Sequence, residues 1–244
     1  MIVDILGFWG GYPTRGGATS GYLITTDEGK ILLDCGSGVM SRLSLCAKVE
    51  ELSGVILSHL HYDHMGDVGV LQYAMNGALR TGRAKKPIDI YSPVEPKMMW
   101  EQVQSAESTN IPIDQGKTVE MAGVKIAFHE VEHTIPCYAV KMTYKNKTFV
   151  YSGDTVYIDS LVDFAKDADL FFCEATICEG STHTVGAGHM DAKEAAIIAK
   201  NANVGKLVLT HLPSDGDFDF MKREATEIFG NEVYLAMEVE RFEV

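Results

Sequence analysis

Between Ser58 and Asp67 the chain reads SHLHYDHMGD, three histidines and two aspartates within ten residues. Imidazole nitrogen and carboxylate oxygen are the donors that zinc, manganese and iron accept. Four such side chains, His59, His61, Asp63 and His64, fall within six residues, and burying them together without a cation would carry a heavy desolvation cost. The chemistry this cluster supports is the binding of a metal ion. A polar turn with chance histidines is the competing explanation.

A cluster of this kind needs elements that hold it at one point. The apolar run Gly54-Val55-Ile56-Leu57 stands directly before it and reads as a strand, so the histidines leave a sheet where loop residues can converge outside the core. Further β-branched and apolar runs at 2–8, 22–25, 31–34, 55–58, 88–91, 125–131, 138–144, 148–152, 170–174 and 206–210 read as strands, with a turn at Asp27-Glu28-Gly29. Helical spacing of apolar residues fits 37–48, 67–79, 96–105, 191–201 and 218–229. Strands joined by turns at the start, followed by strand–helix alternation, predict an α/β protein of two packed sheets with helices outside. No repeat, linker or low-complexity segment divides the chain, which predicts one domain over residues 1–244.

Composition narrows the partners. The net charge of −13 argues against a general binder of polyanions, whose affinity comes from lysine and arginine displacing counterions. Arg80, Arg83, Lys85 and Lys86 form one compact basic stretch, read as a solvated loop. Five cysteines without CxxC spacing give neither a disulfide framework nor a cysteine-rich zinc site. The opening MIVDILGF lacks a cationic stretch and no later segment offers about 20 apolar residues, so a cytoplasmic protein with no membrane association is expected. Tyr73, Met75, Met98, Met99 and Trp100 are read as core in preference to an apolar pocket or dimer face.

HLHYDH resembles the HxHxDH signature of the metallo-β-lactamase superfamily. The resemblance implies a four-layered αββα sandwich with two metal ions at one edge of the sheets, zinc foremost, with manganese or iron as alternatives. Further residues of the pattern follow in order: His133 in EVEHTIP, Asp154 in VYSGDT and His211 in LVLTHLP. By resemblance His59, His61 and His133 would hold one ion, Asp63, His64 and His211 the other, and Asp154 would bridge them, as two mutually repelling cations require. Asp34 in LLDCGSG would orient one ligand, or else is an acidic residue at a helix start.

Ligand types discriminate within the superfamily. Oxygen-reducing diiron relatives place glutamate where this chain has His61, and zinc β-lactamases place cysteine where it has Asp154. The phosphodiesterase branch that includes RNase Z is the better match: GFWGGYPTRGGATSGYLI resembles its glycine-rich opening, and CEATICEG with GHM resembles its HEAT and HST segments. Carried over, Glu174 would bond His189 and the pair would protonate the departing alkoxide, while Asp63 would position the attacking water. Cys173 departs from the family's histidine and Met190 from its serine, and His183 competes with His189 for the acid role. His129 reads as a strand histidine satisfied by a neighbour, and Gly10, Gly11, Thr19 and Ser20 as possible donors to substrate.

Only 20 residues separate His133 from Asp154, too few for the basic arm with which bacterial RNase Z grips transfer RNA. The expected substrate is therefore a small or cyclic nucleotide or a short RNA 3′ end. Glyoxalase-like and lactonase-like relatives share the seven ligands, so thioester or lactone hydrolysis is the alternative, and a metal-bearing protein that serves a partner without catalysis is the third reading. RNase Z relatives pair, which makes a homodimer possible.

Overall fold

The computed structural model describes residues 1–178 and 188–244; His183 lies outside them. Among the described residues the strands form two seven-stranded sheets. The first holds β1 (Ile2–Gly7), β2 (Gly21–Thr26), β3 (Gly29–Leu33), β4 (Leu52–Ile56), β5 (Ile88–Ser92) and β6 (Ser108–Pro112), hydrogen-bonded in that order. The second runs, also in sequence order, through β7 (Thr118–Met121), β8 (Val124–Val131), β9 (Cys137–Tyr144), β10 (Lys147–Tyr151), β11 (Leu170–Glu174), β12 (Leu207–Thr210) and β13 (Val233–Leu235). A last strand, β14 (Arg241–Glu243), returns to the first sheet beside β1.

Successive side chains of a strand point to opposite faces, and here both faces of the central strands are covered. Tyr22, Ile24, Ile31 and Leu33 enter a core between the sheets, where they meet Phe149, Tyr151 and Phe172 of the second sheet. The alternate residues Leu23, Leu32 and Val55 pack under α1 (Val39–Leu43), α2 (Tyr62–Met65) and α3 (Val68–Arg80). On the far side Val150, Phe171 and Leu209 pack under three helices of the second half. Excluding α4 (Lys97–Gln102), which buries none of its residues, these are α5 (Asp159–Ala165), α6 (Ala192–Asn201) and α7 (Phe218–Phe229). The result is helix, sheet, sheet, helix, the αββα order expected from the sequence. Phe149, Phe171 and Phe172 are wholly buried, each worth about 1.5–3 kcal/mol relative to exposure.

Strand direction decides where a site can form. β3 and β4 are parallel, as are β10, β11 and β12, and β8 points the same way because two antiparallel pairings separate it from β10. Their carboxyl ends therefore emerge along shared edges, where loops are free to carry chemistry. The edges are stitched together by Tyr138 N–H donating to the Ser58 carbonyl at 3.0 Å and by a Tyr22–Thr210 hydroxyl pair at 2.6 Å.

Some elements depart from the sequence reading. β6, β7, β13 and β14 were not expected, because each is only three to five residues long and β6 reads Ser-Thr-Asn-Ile-Pro, with no alternation to mark it. The first helix is shorter than 37–48: it begins after Gly38, whose φ of 88° cannot be helical, and Leu45 beyond it is exposed. Tyr73 and Met98, read as core, are 83% and 69% exposed, whereas Met75 is buried. Of the basic stretch, Arg80 ends α3 and the other three lie in a surface loop tied down locally, Arg83 to Glu50 at 2.7 Å and Lys86 to Asp89 at 3.0 Å. Between His133 and Asp154 the chain forms only the β9–β10 hairpin, turning at Lys145 and Asn146 with φ of 48° and 63°, which is turn chemistry suited to a two-residue hairpin. No helix among the described residues is long and apolar enough to cross a membrane.

Candidate metal centre

Nearly all the residues singled out for chemistry sit at or just after the carboxyl end of a strand: Asp34 after β3, His59 to His64 after β4, His133 after β8, Asp154 after β10, Glu174 ending β11 and His211 after β12, whereas His189 stands just before α6. Asp34 and His211 adopt left-handed backbone, with φ of 57° and 52°. Such strain, of order 1–3 kcal/mol for a residue with a Cβ, persists where the surroundings impose it, and here it turns the chain abruptly at the strand end.

Four overlapping groups of donor atoms result among the described residues, the atoms of each within 4.8 Å of one another: His59, His61 and His133 in the first, Asp63, His64, Asp154 and His211 in the second, and two further sets in which His189 joins His133 and Asp154 or Glu174 and His211. In the first, His61 Nδ1 is 3.1 Å from both His59 Nε2 and His133 Nε2. Ligands 2.0–2.1 Å from a tetrahedral cation stand roughly 3.3 Å apart, so the spacing fits a shared ion. In the second, His211 Nε2 is 3.0 Å from Asp63 Oδ2 and 3.2 Å from Asp154 Oδ2, and His64 Nε2 is 3.3 Å from Asp154 Oδ2. Asp154 Oδ2 also lies 3.6 Å from His59 Nε2 and 4.0 Å from His133 Nε2, so one carboxylate stands between the two groups. His64 Nε2 and Asp154 Oδ1 are buried with no hydrogen-bond partner among the described residues. Buried polar atoms left so are rare without a ligand, and this donor set suits divalent cations.

His59, His64, His133 and His211 are held by the edge away from the cluster, whereas His61 turns Nδ1 toward His59 and His133. His64 Nδ1 donates to Asp34 Oδ2 at 2.8 Å, and His133 Nδ1 to the Gly188 carbonyl at 2.7 Å. His59 Nδ1 meets Ser58 Oγ at 3.1 Å, while Ser58 donates its hydroxyl and amide protons to Asp34 at 2.9 and 2.7 Å. His211 Nδ1 meets Thr176 Oγ1 at 2.6 Å. A proton fixed on Nδ1 leaves Nε2 a bare lone pair aimed inward. Asp34 is thus the orienting acceptor, and the helix that follows it is entered at Gly38.

Protonation states suit cations as well. Burial, followed by the neighbouring His64, pushes His59 well below the ordinary histidine pKa, and burial lowers His61 and His133 too. Burial opposes charge on His64, but Asp154, Asp63 and Asp34 outweigh it and raise that pKa well above the usual value. Burial also opposes ionisation of Asp63 and Asp154, yet His64 and His211 hold both carboxyls well below the usual range. His59, His61 and His133 are thus neutral beside ionised carboxylates, the forms a cation binds, whereas the proton that the carboxylates hold on His64 would have to leave as a cation takes its place.

The remaining pair sits alongside. His189 Nδ1 donates to Glu174 Oε1 at 2.9 Å, and the His189 ring lies 5.1 Å from that of His133 and 5.3 Å from that of His211. Burial would lower the pKa of His189, but the Glu174 carboxylate raises it to about 9. Cys173 and Met190, the two departures from the resembled motifs, touch each other, thiol to thioether at 3.7 Å. They form an apolar pair in an apolar core. His129 is satisfied locally by Ser160 at 3.0 Å and stacks on Phe164. The opening loop supports the site: Gly11 N–H donates to Asp63 Oδ2 at 2.8 Å, and Thr19 and Ser20 are wholly buried.

Sequence reading passed over Ser58, Thr155 and Thr176, whose hydroxyl or amide groups hold Asp34, Glu174 and His211. Their one signal is position, one or two residues from a residue already singled out. Gly36 is the other omission. A Cβ there would lie 2.0 Å from the Asp63 carbonyl oxygen and 2.2 Å from Thr19 Oγ1. Gly36→Ala is expected to destabilise the fold by about 1–3 kcal/mol, a fall in Tm of several degrees, and thermal unfolding checks it; an unchanged Tm would show that the loop yields at no cost.

An αββα sandwich with a histidine–aspartate cluster at its strand ends defines a metal-dependent hydrolase. Residues 29–212 match a family model described as the β-lactamase superfamily domain, and the chain belongs to the metallo-β-lactamase superfamily. It is 36% identical over 237 residues to the probable metallo-hydrolase YhfI of Bacillus subtilis, covering 97% of each chain. The crystal structure of YhfI superposes with a TM-score of 0.94 at 34% identity over 100% of this chain and 99% of that one. A ribonuclease Z of Brevibacillus brevis is 26% identical over 94% of this chain and 92% of its own length. A diphosphatase of the PhnP family shares the fold, with a TM-score of 0.80 at 15% identity over 100% of this chain and 97% of that one.

Proposed function

We propose that the chain, acting as one domain, is a phosphodiester hydrolase with two divalent cations, zinc foremost. His59, His61 and His133 hold one ion and Asp63, His64 and His211 the other, with Asp154 between them. Bound there, the ions would supply Lewis-acid charge to the phosphoryl oxygens and to the attacking water. The observation that carries the phosphodiester reading is the Glu174–His189 pair beside both donor groups. An alkoxide leaving a phosphodiester needs a proton, and a histidine kept protonated by a buried carboxylate can give one. Asp63 receives the Gly11 amide on Oδ2, which helps to fix the carboxylate that would orient the nucleophilic water.

Small or cyclic nucleotides and short RNA 3′ ends are the substrates this reading favours. The names of the ribonuclease Z and diphosphatase relatives point to phosphate esters and anhydrides, while the net charge of −13 and the hairpin in place of an arm argue against a grip on long RNA. The test is steady-state hydrolysis of bis(p-nitrophenyl) phosphate by protein loaded with zinc or manganese, beside a thioester and a lactone. Turnover of the phosphodiester that a chelator abolishes and added metal restores is the expected result. Turnover of the thioester or lactone alone would overturn the phosphodiester reading and leave the hydrolase class intact.

A further inference from the structure

Thr176 lies two residues beyond Glu174 and is wholly buried. Its Oγ1 is 2.7 Å from Glu174 Oε2, 2.6 Å from His211 Nδ1 and 3.1 Å from the His211 carbonyl oxygen. A hydroxyl has a single proton, and an ionised carboxylate can only accept. The proton therefore goes to Glu174, the stronger acceptor, and the Thr176 lone pairs are left to receive the N–H of His211 Nδ1. Across Glu174, Oε1 accepts from His189 Nδ1 at 2.9 Å and from the Thr155 amide at 2.7 Å. One continuous chain thus runs from His211 through Thr176 and Glu174 to His189.

The direction of that chain has a consequence at the other end of the His211 ring. With the proton on Nδ1, Nε2 offers a lone pair toward Asp63 and Asp154. With the proton on Nε2, the ring would donate it to Asp63 Oδ2, 3.0 Å away, and the donor a cation needs would be gone. Both tautomers satisfy His211; only the first also satisfies Glu174 Oε2, whose other contact is the Thr176 amide at 3.3 Å.

We infer that Thr176 is a positioning residue that fixes the His211 tautomer for metal binding and, through Glu174, joins that metal position to the His189 acid. The inference rests on His211 being a metal ligand. It is tested by zinc titration of the whole protein against a chromophoric chelator, for the wild type, Thr176→Val and Thr176→Ser, with long-range proton–nitrogen NMR of the metal-free proteins to read the histidine tautomers. Thr176→Val, close in shape but without the hydroxyl, is expected to weaken one of two zinc ions by 10–100-fold and to move the His211 proton to Nε2. Thr176→Ser, which keeps the hydroxyl, restores both readings. If Thr176→Val fails to fold, Thr176→Ala takes its place with the same expectation. Two ions bound at wild-type affinity by the variant, with His211 still protonated on Nδ1, would overturn the role of Thr176. A wild type that binds fewer than two ions would overturn the ligand assignment beneath it, so the two failures are told apart.

Discussion

Asp154→Ala is expected to cost hydrolysis more than 100-fold and to leave the protein unable to retain two cations. Supporting partners of metal ligands usually cost 10–100-fold in affinity or activity when removed, and Asp154 is placed to do more. Among the described residues its Oδ2 is the one carboxylate oxygen within 4.0 Å of His59, His64, His133 and His211 alike. Removing it takes away the anion between two like charges, whose repulsion grows as local polarity falls. Asp154→Asn separates charge from volume: it fills the same space, and on this argument it fails nearly as badly. Metal content after dialysis, measured beside the rate, decides the matter. Two retained ions and a rate within tenfold of wild type would remove Asp154 from the centre.

The second large effect depends on the leaving group. His189→Ala should slow hydrolysis of diesters with alkyl leaving groups by about 10²–10⁴, the usual worth of a general acid. With p-nitrophenyl esters, whose leaving group departs as a stable anion, the loss should be small. The pH profile carries the same signature. An acid must be protonated to act, so the rate falls as pH rises through its pKa. Glu174 sets that alkaline limb no higher than about 9, because bound cations lower the pKa of a nearby imidazolium. In His189→Ala the limb disappears, and Glu174→Gln, which removes the charge that raises the pKa, should move it toward lower pH. Equal losses for alkyl and p-nitrophenyl esters would show that His189 serves structure or binding and gives no proton.

Much of the centre was legible because its residues are chemically conspicuous and lie at strand ends. Strands with both faces buried read as apolar runs such as Val55-Ile56-Leu57 and Leu207-Val208-Leu209, so the points where chemistry could begin were marked by hydrophobicity alone. Supporting groups were harder to read. Ser58, Thr155 and Thr176 are ordinary residue types whose role exists only through distant partners, Asp34 lying 24 positions before Ser58 and His211 lying 35 after Thr176. Edge strands escaped for a related reason: β6 and β14 are half-exposed and short, and pairing with a neighbour, more than any preference of their own, makes them strands.

Composition and order along the chain determined the layered α/β class, the seven clustered histidines and aspartates, and the absence of a long arm between His133 and Asp154. The tertiary structure decided which donor atoms share a position, that Asp154 stands between the two groups, that Asp34 orients His64, and that Glu174 serves His189 and Thr176 at once. The division follows from physics. Donor type and strand periodicity are local properties written in neighbouring residues, whereas a contact such as that of His211 with Asp63, 3.0 Å across 148 positions of chain, exists only once strands have brought their carboxyl ends to one edge.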